Sequence, residues 1–471
     1  MEKSICTYDV PSAKSANLDR ILQHFKGYGV KDIYIKKLSP NDNSKNQAYF
    51  GSHLSDLAFI PTGNITASKS RSEKRDFKDG SNRKIKYQAD IDFSWMDSDG
   101  RLYSAPNAKL IYYPQYPEVR FSGFLHGSSV NLSRWMDPKK EGRSEGRWLI
   151  LGILNDSIYA YLVTPESYMS EELQHVPLIE ITSVFSVLGT SSIELRSNKI
   201  YLLRELNRIS NLGWIPSQKL NKSGEKVLYQ ARNGAGYTLE AELGIYPNGR
   251  AGPDYLGWEL KQFGVKEFPT KGVQATTLMT PSPDGGIYKD NGTVEFVKFY
   301  GYKDKSGKPD RMNFGGIHKV GKLCTSTSLR MAILGFDYDS LSITDAEGKV
   351  ALIDQEDNIA ASWSFPKLVD HWKKKHSQAA YIPSMKRISD LGMTEYRYGK
   401  DIQLGEGTNF ELLLRAMVNN TVYYDPGIKV ENLSRVKPDA KDRSQFRIKH
   451  QNIPNLYDKF EYIDLEKFLK N

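Results

Sequence analysis

Gly252-Pro253-Asp254-Tyr255-Leu256-Gly257-Trp258-Glu259-Leu260-Lys261 is the stretch on which the reading of this chain turns. Its polar skeleton is Pro-Asp, four residues, Glu, one residue, Lys. Gly257 can bend or end a strand, and Trp258 to Phe263 alternates apolar with polar residues, as a half-buried strand does. On such a strand Glu259 and Lys261 point to one face, while Trp258, Leu260 and Phe263 are expected to serve the other side or the strand end. Asp254, at the mouth of the preceding turn, can reach the face of Glu259. Two carboxylates and an ammonium then meet at one edge of a sheet. Two carboxylates suit a hard divalent cation, and Mg²⁺ takes one or two of them and completes its shell with water and phosphate oxygens. Such an ion polarises a phosphodiester and acidifies a bound water, while a nearby lysine positions that water or stabilises developing charge. Glu240, in Thr238-Leu239-Glu240-Ala241-Glu242, is a further carboxylate, expected on a helix, with Glu242 as its competitor. Outside its context the skeleton is a weak signal, because carboxylates and lysines recur by chance on solvated strand faces.

The whole chain has 471 residues, 39% hydrophobic and 26% charged, with a mean hydropathy of −0.54. This is a soluble globular composition, too long for one ordinary core, and two or three domains are expected. Lys and Arg number 65 against 56 Asp and Glu, a net +9 that suits a polyanionic partner. The excess is uneven: residues 1–150 hold 24 basic against 17 acidic side chains, and residues 151–200 hold 2 against 6. A basic block, an acidic interval and a mildly basic remainder read as two domains and a connector, with ordinary solvated faces as the plain alternative. Cys6 and Cys324 are too few for a disulfide framework or a thiolate zinc site, so a reducing, cytoplasmic compartment is expected. The opening residues lack the apolar core of a signal peptide, and no run approaches the roughly 18 apolar residues of a membrane span.

Texture supports the division. The first block alternates short strand-like segments (Asp32–Lys37, Ala48–Gly51, Leu57–Ile60, Lys84–Asp92, Lys109–Tyr113, Arg147–Ile153 and Ile158–Val163) with turn clusters such as Pro61-Thr62-Gly63-Asn64, which suggests a β-barrel or sandwich-like module. The second begins with Ile200, Leu202, Leu203, Leu206 and Ile209 at helical spacing and mixes strands with helices such as Phe410–Val418, an α/β pattern. Among the histidines, His318, His371 and His376 fit no zinc or HNH pattern, and packing or surface roles are expected for them.

Wording around the carboxylates adds to the skeleton. Thr238-Leu239-Glu240, Leu243-Gly244-Ile245, Gly252-Pro253-Asp254, Gly257 to Lys261, Trp363-Ser364-Phe365, His376 to Tyr381 and Tyr423-Tyr424-Asp425-Pro426 resemble the MvaI/BcnI family of restriction endonucleases, relatives of the MutH nicking enzyme within the PD-(D/E)xK fold. The resemblance spans roughly residues 200–471. It implies an α/β restriction-endonuclease-like domain with a mixed central sheet, Asp254 and Glu259 on Mg²⁺, Lys261 acting on the attacking water, and Glu240 assisting. It also implies a monomer that nicks one strand of double-stranded DNA and then the other, with bases read by side chains near the chain end. Arg443 and Arg447 are the candidates for bidentate contacts to guanine and Gln445 for adenine; a charged edge strand is the plain alternative.

In the first block, Lys36-Lys37-Leu38-Ser39-Pro40-Asn41-Asp42 resembles the opening of the EcoRII effector domain, a DNA-binding pseudobarrel whose two loops embrace the duplex. By that resemblance Asn46 and Gln47 read bases and Lys36 and Lys37 lie near phosphates. The second arm is either Lys69-Ser70-Arg71-Ser72-Glu73-Lys74-Arg75, which resembles the EcoRII arm but is out of order along the chain, or the segment 114–127 with Arg120 and His126. The latter has the look of a shaped pocket. The expected whole is a DNA-binding effector domain over 1–185 and a Mg²⁺-dependent, site-specific endonuclease domain over 186–471, a monomer with capacity for two DNA sites. The alternatives are an endonuclease licensed by a modified base or backbone, a repair nickase, and a binding protein with a decayed nuclease fold.

Overall fold

Arg147–Leu154, the most apolar run of the first half, becomes a strand buried along almost its whole length in the computed structural model. The model describes residues 6–7, 16–30, 32–40, 47–67, 85–137, 144–176, 178–221, 223–231, 233–245, 254–270, 273 and 275–468. The chain forms two compact units, Met1–Lys199 and Ile200–Asn471.

The main elements of the first unit are α1 (Leu18–Gly27), β1 (Asp32–Leu38), β2 (Gln47–Gly51), β3 (Tyr87–Asp90), β4 (Asp92–Met96), β5 (Lys109–Tyr113), β6 (Glu118–Ser122), β7 (Arg147–Leu154) and β8 (Ser157–Val163). A seven-stranded sheet runs Leu178–Glu180, Ser186–Leu188, β1, β7, β8, β4 and Leu102–Ser104. A five-stranded sheet runs β2, β6, β5, β3 and Thr66–Ala67. Among the described residues these remain two sheets and do not close into a barrel. Aromatic side chains join them: Phe121 of β6 meets Phe50 of β2 at 4.8 Å and Phe93 of β4 at 4.9 Å between ring centroids. Such ring pairs bury large apolar areas and add a geometric preference of about 1 kcal/mol each. The expected strand Leu57–Ile60 is not one. Asp56 accepts hydrogen bonds from the backbone N–H groups of Ser52 and His53 (3.1 and 2.9 Å), which winds Leu54–Leu57 into a 3₁₀ turn instead.

Helix α1 starts at Asn17, whose side chain accepts the Arg20 N–H at 2.8 Å, and buries Leu18, Ile21 and Phe25. It approaches β7 at Gly152, where a Cβ would stand 2.5 Å from Phe25 Cδ1 and 2.9 Å from Val30 Cγ1.

The second unit contains the later part of α2 (Gly189–Asn211), then α3 (Gly234–Glu242), β9 (Glu259–Gly264), β10 (Thr276–Met279), α4 (Phe365–His376), β11 (Gln378–Ile388), β12 (Thr394–Tyr398), β13 (Asp401–Glu406), α5 (Phe410–Val418), β14 (Val422–Tyr424), β15 (Phe446–Ile448) and β16 (Lys459–Asp464). Its central sheet is mixed. β9 pairs with β11 in parallel, setting Glu259 beside Ala379 and Lys261 beside Tyr381. β11 also pairs antiparallel with β13 and β12, and β16 and Ile215–Pro216 complete the six strands. Trp258, Ala380, Ile382, Ile402 and Leu404 share one face and form a core with Leu202, Leu206 and Ile209 of α2 and Leu239 of α3.

Phe263 corrects the expectation from sequence. Strict alternation keeps it on the face of Glu259 and Lys261, where its ring packs 3.8 Å from that of His450. A second correction concerns the chain end: β15 is the middle strand of a three-stranded sheet, between β10 and β14, and not a charged edge. No described helix is long and apolar enough to cross a membrane.

The close approach at Gly152 makes a direct prediction. Gly152→Ala should cost about 1–3 kcal/mol, the usual penalty of overpacking a filled core, measured by urea unfolding of the full chain. Unchanged stability would contradict the packing of α1 on β7.

Candidate active site

Asp254 reaches Glu259 by way of a hairpin. Tyr255 and Trp258 exchange backbone hydrogen bonds at 3.0 and 2.8 Å, and the two residues between them, Leu256 and Gly257, have φ of +49° and +84°. Two consecutive left-handed residues make the tight turn that matches strand twist. Glycine adopts this conformation freely, whereas Leu256 does so at a cost of about 1 kcal/mol. The turn folds Asp254 back over the strand, and its Oδ2 accepts the Leu260 N–H at 2.9 Å. Lys261 Nζ donates to Glu259 Oε1 at 2.7 Å. Glu259 is 4% exposed and the Lys261 side chain 17%, so the ion pair is largely withdrawn from water. Asp254, Glu259 and Lys261 are thus brought together within one turn and one strand.

The structure separates the two helical carboxylates. Glu242 is bound on all sides: Lys226 Nζ and Gln218 Nε2 each donate to its Oε1 at 2.6 Å, and Arg208 lies 3.8 Å from Oε2. Glu240, half-buried on the same helix, stands outside that cluster, and α3 packs beside β9 with Leu239 and Trp258 in one core.

Beneath the face of Glu259 lies a buried polar chain that sequence reasoning missed. His376 Nε2 donates to the Leu278 carbonyl at 3.0 Å, which leaves Nδ1 of a neutral ring to accept from Tyr457 Oη at 3.2 Å. Tyr457 in turn accepts from Tyr381 Oη at 2.9 Å. Burial, joined by the charge of Glu259, holds both phenols well above the usual tyrosine range, so they serve as protonated donors. His450 lies beside Phe263, with Thr276 Oγ1 at 3.0 Å from Nδ1 and Gln403 Oε1 at 3.1 Å from Nε2. Burial pushes its imidazole down to about 4. His318 is wholly buried, its Nε2 2.8 Å from Thr327 Oγ1, in keeping with a packing role. Burial raises the neighbouring Cys324 thiol, but hydrogen bonds from His318 and Ser326 outweigh it and bring the thiol down to about 6.

The expected base readers of the chain end differ in accessibility. Arg443 is exposed. Gln445 is 7% exposed, its Nε2 donating to the Asp425 carbonyl at 3.0 Å. Arg447 donates to Asp425 Oδ2 and the Ala275 carbonyl, both at 2.7 Å. In the first unit Lys36 is buried, Lys37 is exposed with Nζ 5.5 Å from the Trp148 ring, and Gln47 opens β2 half-buried. Arg120 holds Glu118 through Nη2 at 2.6 Å and lies 5.9 Å from the Tyr49 ring, while its Nε and Nη1 are buried without a partner. His126 is exposed in the turn after β6. Asn46, Lys69, Arg71, Lys74 and Arg75 lie outside the described residues.

Residues 203–457 match the family model of a group of restriction endonucleases, which are DNA-cleaving hydrolases. The group is the MvaI/BcnI restriction endonuclease family, and with more than half of its length matched the chain belongs to it. Among solved structures it is similar to the MvaI–cognate DNA complex, at 19% identity over 56% of this chain and 97% of that one, with a TM-score of 0.42. MvaI without DNA is similar over the same shares at 19% identity, with a TM-score of 0.31. No curated protein matches significantly. Endonucleases of this kind generally use a divalent metal. Among the described residues no three His, Cys, Asp or Glu side chains form a metal cage. The donor set at β9 is two carboxylates, which suits an ion that keeps most of its water.

His450 gives the unit a predictable acid response. Its folded pKa of about 4 lies below the unfolded 6.5, so the unfolded chain binds a proton in that window that the native ring refuses. Stability is then whole above pH 6.5 and falls by up to about 3 kcal/mol as pH drops to 4. His450→Gln should flatten that difference when urea midpoints are compared at pH 7, 5.5 and 4.5. Parallel curves for the two proteins would refute the assignment.

Proposed function

We infer that the protein is a Mg²⁺-dependent, site-specific endonuclease acting on double-stranded DNA. In this reading residues 186–471 cut, and residues 1–185 bind DNA and target or stimulate the cut. The observation that carries it is the meeting of Asp254, Glu259 and Lys261 on the turn and strand of β9, inside the segment matched by the family.

Asp254 and Glu259 are the residues that would hold the ion. When bound, Mg²⁺ polarises the phosphodiester and acidifies a coordinated water. Lys261 orients the attacking water with its ammonium and offsets the negative charge that builds on the phosphoryl oxygens. Its partner Glu259 keeps the amine at the strand face, and a lysine lends itself to this because its charge sits at the end of a flexible stem. Glu240 assists from α3 as a carboxylate for the water shell. Beneath them the Tyr381–Tyr457–His376 chain holds the floor rigid, since each group has a fixed partner. Arg443, Gln445 and Arg447 are the proposed base readers; Gln445 and Arg447 would have to exchange their bonds to Asp425 for bonds to bases. In the first unit Lys36, Lys37, Gln47, Arg120 and His126 supply the contacts.

The reading is tested by incubating the protein with Mg²⁺ and plasmids that carry or lack common base and backbone modifications, then sequencing the fragment ends. Discrete cleavage at one sequence is expected, abolished by EDTA. Asp254→Asn and Lys261→Ala should each reduce the single-turnover rate by about 10²–10³-fold or more. Undiminished cleavage by Lys261→Ala would remove this assignment. Cleavage confined to modified plasmids would make the first unit a sensor of modification.

A further inference from the structure

The first unit encloses a cavity of about 310 Å³ between β1, β7, the start of β2 and the segment 180–186. Lys36 lines it. This lysine is 7% exposed, burial alone draws its ammonium down to about 8, and its nearest aromatic neighbour is the Phe185 ring at 5.8 Å. No carboxylate is bonded to it. Trp148 lines the same wall, with a buried indole N–H that has no acceptor. Both groups are pure donors, so whatever satisfies them must carry acceptors, and beside an ammonium an anion is favoured. Arg147, which donates to the carbonyls of Ser144, Trp135 and Ser39, brings a second positive charge to the wall. Glu180 is the only carboxylate among the lining residues.

The rest of the lining limits the ligand further. Tyr49, Phe124 and Trp148 present aromatic surface, and Gln47 presents an amide able both to donate and to accept. A second hollow of about 420 Å³ shares Gln47 and Phe124 and runs toward His126. These volumes lie within the roughly 300–1,000 Å³ of small-molecule sites. A buried ammonium without an anion costs several kcal/mol, which a methionine of similar shape would avoid. Folding therefore does not account for Lys36, whereas an acidic, flat, acceptor-rich ligand does.

We propose that this cavity is a binding site for a single nucleotide unit, with its phosphate against Lys36 and its base against Tyr49, Phe124 and Trp148. Two sources share that chemistry: a nucleotide turned out of a DNA duplex, and a free nucleotide. Only the first rests on reading this unit as a DNA binder.

The full-length protein is titrated with dAMP, dCMP, the matching nucleosides and inorganic phosphate, with tryptophan fluorescence and calorimetry as readouts. The monophosphates should bind at least about tenfold more tightly than the nucleosides or phosphate alone. Lys36→Met should lose at least about tenfold in that affinity while melting no lower than the parent, because it removes an uncompensated charge. Trp148→Phe, which keeps the aromatic wall and deletes the orphan donor, should weaken binding several-fold and carries the test if Lys36→Met does not fold. A second arm uses a duplex of the mapped cleavage sequence containing 2-aminopurine, with Ca²⁺ in place of Mg²⁺. Fluorescence that rises with the parent and not with Lys36→Met identifies the source as extruded DNA. Lys36-dependent monophosphate binding with a quenched duplex identifies a free nucleotide. Equal binding by parent and Lys36→Met, or no monophosphate binding and no rise in fluorescence, overturns the proposal. If the protein fails to bind duplex while Lys36-dependent monophosphate binding persists, the DNA-binding reading of the unit falls and the cavity assignment stands.

Discussion

The parallel register between Glu259–Gly264 and Gln378–Ile388 governs the second unit. It sets Glu259 beside Ala379 and Lys261 beside Tyr381, and because side chains alternate with period two it also decides which side chains go to each side of the sheet. Trp258, Ala380, Ile382 and Leu404 meet the helices Gly189–Asn211 and Gly234–Glu242. Glu259, Lys261, Phe263 and Tyr381 face the imidazoles of His376 and His450. A slip of one residue would press two charges into the helix-packed core and expose a tryptophan to the polar side. Both faces are built against such a slip, one by apolar packing and the other by hydrogen bonds that apolar groups cannot make.

Burying an ion pair is no bargain for stability alone. Desolvation offsets much of the attraction between Glu259 and Lys261, and a well-packed apolar pair of similar volume would serve the fold as well. The nuclease reading supplies the reason for keeping it, since charge near a phosphodiester acts most strongly where water is scarce. Leu256 fits the same pattern. It occupies a left-handed conformation at the tip of the turn that brings Asp254 to the strand, and strain of this kind persists only where the surroundings hold it in place.

The first unit has the opposite electrostatic character. There the unsatisfied groups are donors: Lys36, the indole of Trp148, and Nε and Nη1 of Arg120. Where the second unit gathers carboxylates with an ammonium, the first gathers cations and N–H groups around hollows. The net charge of +9 is therefore less informative than its arrangement, because each unit arranges its charges for a different ligand.

Much of this was legible in the chain itself. The Asp254–Lys261 stretch is short and its parts are local, so turn residues and alternation were enough to foresee a carboxylate and a lysine on one strand face. Most strands of the first unit, and the helix over Phe410–Val418, followed from the same local rules. Local rules failed where a side chain captured the backbone, as Asp56 does at Leu54–Leu57, and where parity was judged loosely, as at Phe263. They could not separate Glu240 from Glu242, because Lys226 and Gln218 reach Glu242 from other elements. Nor could they show that Gln445 and Arg447 turn to Asp425, that Tyr381, Tyr457 and His376 form one chain, or that Lys36 is buried beside a cavity. The sequence by itself determined what is set by neighbours along the chain: alternation, turn geometry and the residue types at the carboxylate strand. Only the tertiary structure decided which charges are paired, which donors are orphaned and which imidazoles stay neutral, because burial and hydrogen bonding depend on residues that meet in space from far apart in sequence.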